Sequence, residues 1–485
     1  MTATAADLRA RRILVLNWRD VRHPEAGGAE QYIHQIGMRW ARAGAEVTWF
    51  TARAPGQAEH EHLDGMHVHR AGGPLSVYPR AAARLLRSQG RFDAVVDCQN
   101  GIPFFAPLFL PQAVPVVQVV HHVHQDQFAT RFSPAMAAVG RLLEGPVARR
   151  VYAQRAIAAV SPSTRFELRH RLGFRNPVFV VPNGTAPVSW APRDRSPDPL
   201  LVVVSRLVPH KRIELLLGAL ATTTARIPGL RVEIVGDGPE RHWLQGLVSD
   251  LGLRSTVRLH GYVSAEVRDE LLSSAWLTAS TSAAEGWGCS VIEAAATGVP
   301  CLALKVPGIR DSVLHGETGW LVERPQDLGT ALVAAVDLLG EDARAERMAA
   351  DCRAWARCFS WDRSADLLAG VVVEEMRSTA ARSRGRTPER RSARSDMAVL
   401  VGFRHTDPAD VRTGLRSTDE LVQHGDRTSV VLTGCDDFDA AVVLDRIGAR
   451  DGSLQLADRR LLLAGPEAPP APAPGVEHLD MEKSA

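Results

Sequence analysis

The 485-residue sequence has the composition of an ordinary globular protein, with 45% hydrophobic and 23% charged residues, and it is long enough for two or three hydrophobic cores. Its formal net charge of +2 is small for this length and does not favour a nucleic-acid-binding function. Six scattered cysteines without a CxxC pair argue against a disulfide framework and a zinc site. The N-terminus lacks the apolar region of a secretion signal, and no apolar run can span a bilayer. We therefore expect a cytoplasmic protein, with any membrane contact peripheral and at the inner face.

Short apolar runs alternate with longer amphipathic segments in the first part of the chain. Residues 13–16, a helix from about Glu30 and residues 47–50 follow one another in a βαβ rhythm. Later runs are apolar on both faces, as buried parallel strands are, and comprise residues 94–96, 116–120, 156–160 and 178–181. We predict that residues 11–187 form a doubly wound, Rossmann-like α/β domain.

A second βα series follows a linker-like stretch rich in Pro, Arg and Asp at residues 187–199. Its predicted strands are residues 200–204, 231–235, 257–259, 277–280, 301–304 and 319–322. The sequence predicts a second Rossmann-like domain over residues 198–360 and a closing helix over residues 361–377.

The remainder of the chain has a different composition. Residues 378–396 carry Arg, Ser and Pro without an apolar stripe, which indicates a flexible basic linker or, alternatively, a patch that contacts acidic lipid or another polyanion. Residues 397–485 are predicted to form a small appended α/β unit of unknown role, with strands at 397–403, 428–433 and 460–463 and a disordered Pro-Ala tract at 466–474. The Asp437 and Asp439 pair in this unit is predicted to be a surface turn.

Two cations directly follow the first strand of the second series. Arg206 and Lys211 stand before an apolar helix, at the carboxyl end of the strand formed by residues 200–204. Ligands of open parallel sheets bind at this end, and an arginine fork with a lysine point charge near a helix N-terminus suits a diphosphate. The alternative is a pair of solvated surface cations.

Two carboxylates and two glycines follow the strand at residues 277–280. Gly286 and Gly288 let backbone N–H groups approach an anion closely. Glu285 precedes the next helix and Glu293 lies in it, roughly 12 Å apart if the whole step is helical, which is too far for a glycosidase carboxylate pair. We expect Glu285 near a sugar's hydroxyls and Glu293 near ribose hydroxyls; the alternative is two helix-terminal carboxylates favoured by the helix dipole.

These motifs resemble those of glycosyltransferase family 4, the retaining GT-B enzymes. The resemblance places the Glu-x7-Glu signature on Glu285 and Glu293 and the phosphate-binding cations on Arg206 and Lys211. It places a glycine turn on Gly236 and Gly238 and a base-reading loop on Tyr262 and Val263. The donor pocket falls on Gly286, Gly288, Cys289 and Ser290. It implies an α/β GT-B fold, in which two facing Rossmann-like domains hold the active site in the cleft between them, with a C-terminal crossover helix.

The same resemblance extends to the N-terminal part of the chain. Gly27 and Gly28 match a Gly-Gly loop whose backbone amides face the donor diphosphate, and His122 or His124 matches a histidine that contacts the transferred sugar. His121, His122 and His124 together also fit a metal site, or a structural histidine satisfied by backbone.

The resemblance implies a retaining glycosyltransferase that moves a hexose-type sugar from a UDP- or GDP-sugar to an acceptor hydroxyl of a glycan, glycolipid or natural product, without a metal or other cofactor. Two alternatives within the fold are a non-catalytic nucleotide-sugar-binding partner and a GT-B epimerase or hydrolase. A dinucleotide oxidoreductase is disfavoured because no GxGxxG follows either first strand.

Overall fold

The structure, a computed structural model, describes residues 3–88, 90–188, 195–385, 398–404, 408–435, 437–449 and 453–469. The described residues divide into two compact units, one that comprises residues 3–184 with 361–468 and one that comprises residues 185–360. Residues 386–396 of the predicted linker and residues 470–474 of the predicted Pro-Ala tract lie outside the described residues.

An eight-stranded sheet forms the centre of the first unit. Its strands are β1 (Arg12–Leu16), β2 (Glu46–Thr51), β3 (His60–Leu63), β4 (Met66–Arg70), β5 (Ala94–Gln99), β6 (Val116–Val120), β7 (Ile157–Ala159) and β8 (Val178–Val180). They lie in the order β3-β4-β2-β1-β5-β6-β7-β8, and every neighbouring pair is parallel except the β3–β4 hairpin. Every residue of β5 and β6 is buried, including the polar Asp97, Gln99 and Gln118, whose side chains are hydrogen-bonded within the protein.

Helices cover this sheet and are connected to it by short segments. They are α1 (Gly28–Arg42), α2 (Val77–Arg87), α3 (Phe128–Arg131), α4 (Pro134–Leu142), α5 (Ala148–Val151) and α6 (Pro162–Phe166). Tyr32, Ile33, Ile36 and Trp40 form the buried stripe of α1 at helical spacing.

A six-stranded, wholly parallel sheet forms the centre of the second unit. Its strands are β9 (Leu200–Val204), β10 (Arg231–Val235), β11 (Val257–Gly261), β12 (Leu277–Ser280), β13 (Cys301–Leu304) and β14 (Gly319–Val322). Its helices are α7 (Ile213–Thr223), α8 (Arg241–Asp250), α9 (Ala265–Ser274), α10 (Cys289–Ala296), α11 (Ile309–Ser312), α12 (Leu328–Leu339) and α13 (Asp342–Arg357). The strand order β11-β10-β9-β12-β13-β14 reverses direction at β9, so the loops after β9 and β12 border the crevice where open α/β sheets bind ligands.

The helix α14 (Trp361–Ser383) returns the chain to the first unit. The Trp40 indole donates to the Ala365 carbonyl at 2.9 Å, and Glu375 and Thr379 are buried. The helix therefore continues six residues beyond Arg377 into the predicted linker, because its last turns are anchored by buried contacts rather than solvated.

Where the structure describes them, the appended residues form a four-stranded antiparallel sheet with three α-helices. The elements are β15 (Ala398–Arg404), α15 (Pro408–Thr413), β16 (Glu420–His424), β17 (Arg427–Thr433), α16 (Asp437–Arg446), β18 (Ser453–Leu456) and α17 (Arg459–Ala464), with strand order β16-β17-β15-β18.

Two sequence-based predictions in this unit are wrong. Residues 460–463 are helical, because the Asp458 carboxylate caps α17 by accepting from the Leu461 amide at 2.9 Å. Asp437 and Asp439 lie in the first turn of α16, not in a surface turn. In the part of the chain that the structure describes, no helix combines the length and apolar character needed to cross a bilayer.

Candidate donor site

The loops that follow β9 and β12 are joined by reciprocal hydrogen bonds. The Thr281 hydroxyl donates to the carbonyl oxygens of Lys211 (3.0 Å) and Arg212 (2.9 Å). The Arg212 guanidinium donates in return to the carbonyls of Thr281 (3.1 Å) and Ser282 (3.0 Å). Since β9 and β12 are paired neighbours in the sheet, these bonds fix the loop that carries Lys211 beside the loop that carries Glu285.

Lys211 and Glu285 form a half-buried ion pair at this junction. The Lys211 ammonium donates to Glu285 Oε1, and the Ser282 hydroxyl donates to the same oxygen at 2.7 Å. Their side chains are 17% and 18% exposed, so neither charge is fully solvated. Burial alone would raise the pKa of Glu285, but Lys211, Ser282 and the more distant His210 outweigh it and lower that pKa. Glu285 is therefore held ionised, and its Oε2 receives no hydrogen bond from the described residues.

Arg206 adds a second positive charge to the loop after β9. Its side chain is exposed and forms no hydrogen bond or ion pair within the described residues. The loop is seated on the turn after β10, where a Cβ at Gly236 (φ +134°) or Gly238 would overlap the carbonyl oxygens of Ser205 and Leu207. Only glycine permits this backbone contact, so the turn supports the position of Arg206.

The loop after β12 ends at Gly288, and α10 begins at the next residue. Gly288 is its N-cap residue with φ +99°, and Cys289 and Ser290 form its first turn. The amide groups of such first-turn residues have no acceptor within the helix and point outward with the positive end of the helix dipole. With half-buried Gly286 preceding them, they suit an anion.

Glu293 lies one turn further along α10, in an electrostatic environment opposite to that of Glu285. Burial raises its pKa, Asp269 adds to the rise, and the attraction of Arg268 does not reverse it. Its carboxylate forms no hydrogen bond with the described residues. The two glutamates of the signature are thus distinct, one charge-paired and one unpaired.

The segment after β11 presents an exposed aromatic ring. Tyr262 is 86% exposed and Val263 is half-buried. Trp287, by contrast, is 3% exposed and packs edge-on against Phe359, with ring centroids 4.9 Å apart. The tryptophan is therefore part of the core of the second unit, and its side chain does not line an open pocket.

In the first unit, the predicted glycine loop leads directly into α1. Gly27 is the N-cap residue and donates its amide to Glu30 Oε2 at 2.7 Å, and Gly28 begins the helix. The buried Glu30 also lies 3.4 Å from the Arg19 guanidinium. The helix start is therefore held by its own capping carboxylate.

The three histidines after β6 have different environments. His121 is buried against Tyr32, and burial, reinforced by the nearby His124, lowers the pKa of His121 to about 3. The Gln127 amide group donates to His122 Nε2 at 2.9 Å. His124 donates from Nδ1 to the His122 carbonyl at 3.0 Å, and its backbone amide donates to the buried Glu144 at 2.6 Å. His124 is thus the histidine whose Nε2 is left as an acceptor.

These histidines do not form a metal-ligand set. Among the described residues, the one group of three side chains able to share a metal ion is Glu59, His60 and His69, at the β3–β4 hairpin.

Three residues that sequence reasoning missed, Thr281, Ser282 and Arg212, organise the candidate donor site. One feature of the sequence points to Lys211. Only three of the 57 basic residues are lysines, so a lysine stands out at this position.

Comparisons with known proteins identify the family. Residues 26–187 match the family described as Glycosyltransferase Family 4, and residues 189–356 match Glycosyl transferases group 1. The D-inositol 3-phosphate glycosyltransferase of Rhodococcus opacus is 30% identical over 392 residues, covering 70% of this chain and 84% of that protein. The GDP-mannose-dependent alpha-(1-6)-phosphatidylinositol monomannoside mannosyltransferase of Mycolicibacterium smegmatis is 31% identical over 268 residues, and the chain spans 62% of its length.

Solved structures agree on the fold. The sucrose-phosphate synthase of Thermosynechococcus elongatus superposes with a TM-score of 0.62 at 23% identity, covering 76% of this chain and 99% of that one. Anabaena HepE in complex with UDP-glucose superposes with a TM-score of 0.54 at 20% identity, covering 77% of this chain and 100% of that one. The fold is GT-B, with two Rossmann-like units. The chain belongs to glycosyltransferase family 4.

Proposed function

We propose that this chain is a retaining hexosyltransferase that takes the sugar from a UDP- or GDP-sugar and transfers it to an acceptor hydroxyl. The observation that carries the proposal is the convergence of Lys211, Arg206 and the N-terminus of α10 at the strand-order reversal of the second unit. These are three sources of positive potential at one edge of the sheet, and together they suit a diphosphate group.

The leaving diphosphate gains charge as the glycosidic bond breaks. Arg206 and Lys211 stabilise this charge, and groups already in place do so without reorganising at the moment of reaction. The bonds among Lys211, Arg212 and Thr281 supply that preorganisation. Gly27 and Gly28 of the first unit are assigned a phosphate-binding role, on the family resemblance alone.

We propose a sugar contact for Glu285 in the second unit and, on the family resemblance, for one histidine of the first unit. Glu285 Oε2 is free to accept from a sugar hydroxyl because Oε1 already holds Lys211 and Ser282. The histidine proposed to contact the sugar is His124 rather than His122, because His122 Nε2 already accepts a hydrogen bond from Gln127.

The nucleoside portion is assigned to Tyr262, Val263 and Glu293. The exposed Tyr262 ring offers a face on which a base can stack. Glu293 accepts hydrogen bonds from the ribose hydroxyls. These bonds satisfy a carboxylate that has no hydrogen bond within the described residues.

The donor class rests on two relatives of different kinds. The mycobacterial relative is named as GDP-mannose-dependent, and HepE was solved with UDP-glucose. We propose that no metal is required, because two cations and a helix N-terminus supply the charge that a divalent ion would otherwise supply. Full activity in excess EDTA is the expected result, and a strict requirement for added divalent metal would refute this part.

The acceptor is proposed to lie at a membrane surface. Phe132 and three residues on one side of α4, Met136, Val139 and Leu142, are 43% to 54% exposed. Arg141 on α4 and Arg149 and Arg150 on α5 are exposed close by in the chain. Apolar side chains flanked by arginines suit the interface of an anionic bilayer.

Flotation with phosphatidylcholine vesicles containing phosphatidylglycerol tests this contact. Val139→Glu with Leu142→Glu should reduce flotation well below that of wild type, whereas Leu75→Glu, at a 69% exposed leucine elsewhere in the same unit, should leave it unchanged. Equal flotation of all three proteins would refute the contact at α4.

Product analysis tests the transferase activity itself. Incubation with a nucleotide sugar and a candidate acceptor, followed by NMR of the product, should show a new glycoside with the anomeric configuration of the donor. An inverted anomer would refute retention. Free sugar or an epimerised nucleotide sugar, formed equally without acceptor, would favour the hydrolase or epimerase alternative.

A further inference from the structure

The appended residues are docked on α14 by specific polar contacts. The Arg363 guanidinium donates to both carboxylate oxygens of Glu420, at 2.8 and 2.9 Å, and to the Leu463 carbonyl at 2.8 Å. The Glu420 side chain is 9% exposed. Ser417 and Glu374 add a hydrogen bond of 3.2 Å. A bidentate arginine–carboxylate pair fixes orientation as well as distance, so the appended residues are held on this helix in a defined orientation.

The same interface brings backbone against backbone. Gly370 is buried in α14, and a Cβ at this position would overlap the carbonyl oxygen of Ser417. A larger residue at 370 cannot be accommodated without separating the helix from the appended residues. The docking is therefore specified by the sequence of α14 as well as by that of the appended unit.

The docked surfaces enclose a cavity. It has a volume of about 110 Å³ and lies beside the edge strand β8, between α14 and the appended sheet. Residues 153–156 and 175–180, with Arg165 and Arg169, supply one wall, and Arg416, Val431 and Thr433 of the appended residues belong to the opposite one. Arg175, at its rim, is exposed to solvent.

The cavity lining carries an excess of positive charge. It contains six arginines, Arg155, Arg165, Arg169, Arg175, Arg382 and Arg416, and three glutamates, Glu374, Glu375 and Glu420. Glu420 is already matched by Arg363, which lies outside the lining, so its charge does not offset the lining arginines.

Glu375 is shared between two of the lining arginines. Its Oε1 accepts from Arg155 at 3.3 Å and from Arg382 at 2.7 Å, leaving one positive charge in excess. Burial raises the pKa of Glu375 and lowers that of Arg155, so desolvation disfavours the charged form of both groups. An anion in the cavity would offset that cost for the cations.

We propose that this cavity binds the phosphate group of a small molecule, at a site within the first unit that β8, α14 and the appended residues form jointly. Phosphate oxygens accept several charge-assisted hydrogen bonds at once, which matches several arginines on one small cavity. Since a water molecule needs roughly 10–15 Å³ by the same measure of volume, the cavity has room for a phosphate group and its nearest atoms. The ligand is either a soluble phosphate ester or a lipid headgroup.

Calorimetry with the full-length protein tests the site, using inorganic pyrophosphate and glycerol 3-phosphate as probes. Arg175→Ala with Arg416→Ala, from opposite walls, should weaken binding of at least one probe more than tenfold. The matched control Arg404→Ala, at an exposed arginine of the appended sheet outside the cavity, should stay within twofold of wild type. Arg175→Gln alone, at an exposed position, should still weaken binding if the double variant is unstable.

A Lys211→Gln background separates this site from the proposed donor site. Retained binding in Lys211→Gln that is lost on adding Arg175→Ala and Arg416→Ala supports the inference, whether or not the proposed function holds. Binding lost in Lys211→Gln but unchanged in the cavity variants would overturn it. Equal loss in Arg404→Ala, or no binding of either probe or of the vesicles described next, would overturn it as well.

Vesicles distinguish the two sources of phosphate. Phosphatidylcholine vesicles with and without phosphatidylglycerol are floated with the Val139→Glu, Leu142→Glu variant, so that α4 does not contribute. Flotation that requires phosphatidylglycerol and is lost in the cavity variants assigns a lipid headgroup. Binding of glycerol 3-phosphate without such flotation assigns a soluble ester.

Discussion

The Lys211 ammonium donates a hydrogen bond to Glu285 Oε1 and so joins two segments that are 74 positions apart in the chain. Ser282 donates to the same oxygen at 2.7 Å, and the whole arrangement rests on the Thr281–Arg212 bonds. The pair keeps an ionised carboxylate and a fixed ammonium side by side, with Glu285 Oε2 still available. This arrangement is what the proposed chemistry needs on the donor side.

Replacing Lys211 with glutamine should lower kcat by about a hundredfold or more while the protein stays folded, because one preorganised charge on the leaving group is lost. The chain supplies a matched control in Lys305→Gln, an exposed lysine of the second unit paired with Glu323. That variant should retain wild-type turnover. Near-normal turnover of Lys211→Gln in a steady-state assay would remove Lys211 from the mechanism.

Glu293→Gln should weaken nucleotide binding about tenfold or more, since hydrogen bonds to a charged acceptor contribute about 1.5–3 kcal/mol. The raised pKa of Glu293 sets the pH dependence. Ionised Glu293 binds the ribose, so wild-type affinity should fall as pH decreases, beginning above the ordinary glutamate value of 4.5. Titration calorimetry with UDP and GDP at several pH values should show this fall in wild type and a smaller one in Glu293→Gln, which controls for the nucleotide's own protonation.

His124→Ala should reduce kcat/KM about five- to tenfold, the value of about 1–1.4 kcal/mol expected for one hydrogen bond to the sugar. His122→Ala should have a smaller effect, because its Nε2 is already bonded to Gln127. Kinetics of the two variants, with circular dichroism as a check on folding, test the assignment. A larger loss in His122→Ala would reverse it.

Buried His121 makes stability depend on pH. Its pKa is about 3 in the folded chain against 6.5 for an ordinary histidine, so the unfolded chain takes up a proton that the folded chain does not. The stability present above pH 6.5 is lost as pH falls towards 3, by about 2 kcal/mol at pH 5. Denaturation of wild type and His121→Phe at pH 7.5 and 5 should show this loss only in wild type. The exposed His62→Ala should behave as wild type.

The fold was largely predictable because its strands are buried on both faces. β9, β10, β12, β13 and β14 have the predicted bounds, since runs of Val, Leu, Ile and Ala in a parallel sheet leave little ambiguity. The hairpin of β3 and β4 escaped prediction, because its histidines alternate with other residues and give no apolar run. Residues 460–463 were wrongly assigned as a strand, because a short apolar run does not distinguish strand from buried helix.

The positions of the candidate site residues in the fold were predictable, but the connections among them were not. Motif spacing placed Arg206, Lys211, Glu285 and Glu293 near the carboxyl ends of strands, which follows from the βα rhythm. Pairing Lys211 with Glu285 depends on β9 and β12 being neighbours, and a strand order of this kind is set by tertiary packing. The unlike environments of the two glutamates likewise depend on Asp269 and Arg268, whose proximity to Glu293 no local pattern reveals.

The most direct test of the central claim is a thermal-shift panel of UDP, GDP, UDP-glucose, UDP-N-acetylglucosamine and GDP-mannose against the purified chain. A ligand that binds the folded state raises Tm by mass action. We predict a selective rise with one nucleotide family, lost in Glu293→Ala and retained in Lys305→Gln. No rise with any of these compounds would contradict a UDP- or GDP-sugar site in the second unit and would favour the non-catalytic alternative or a different donor base.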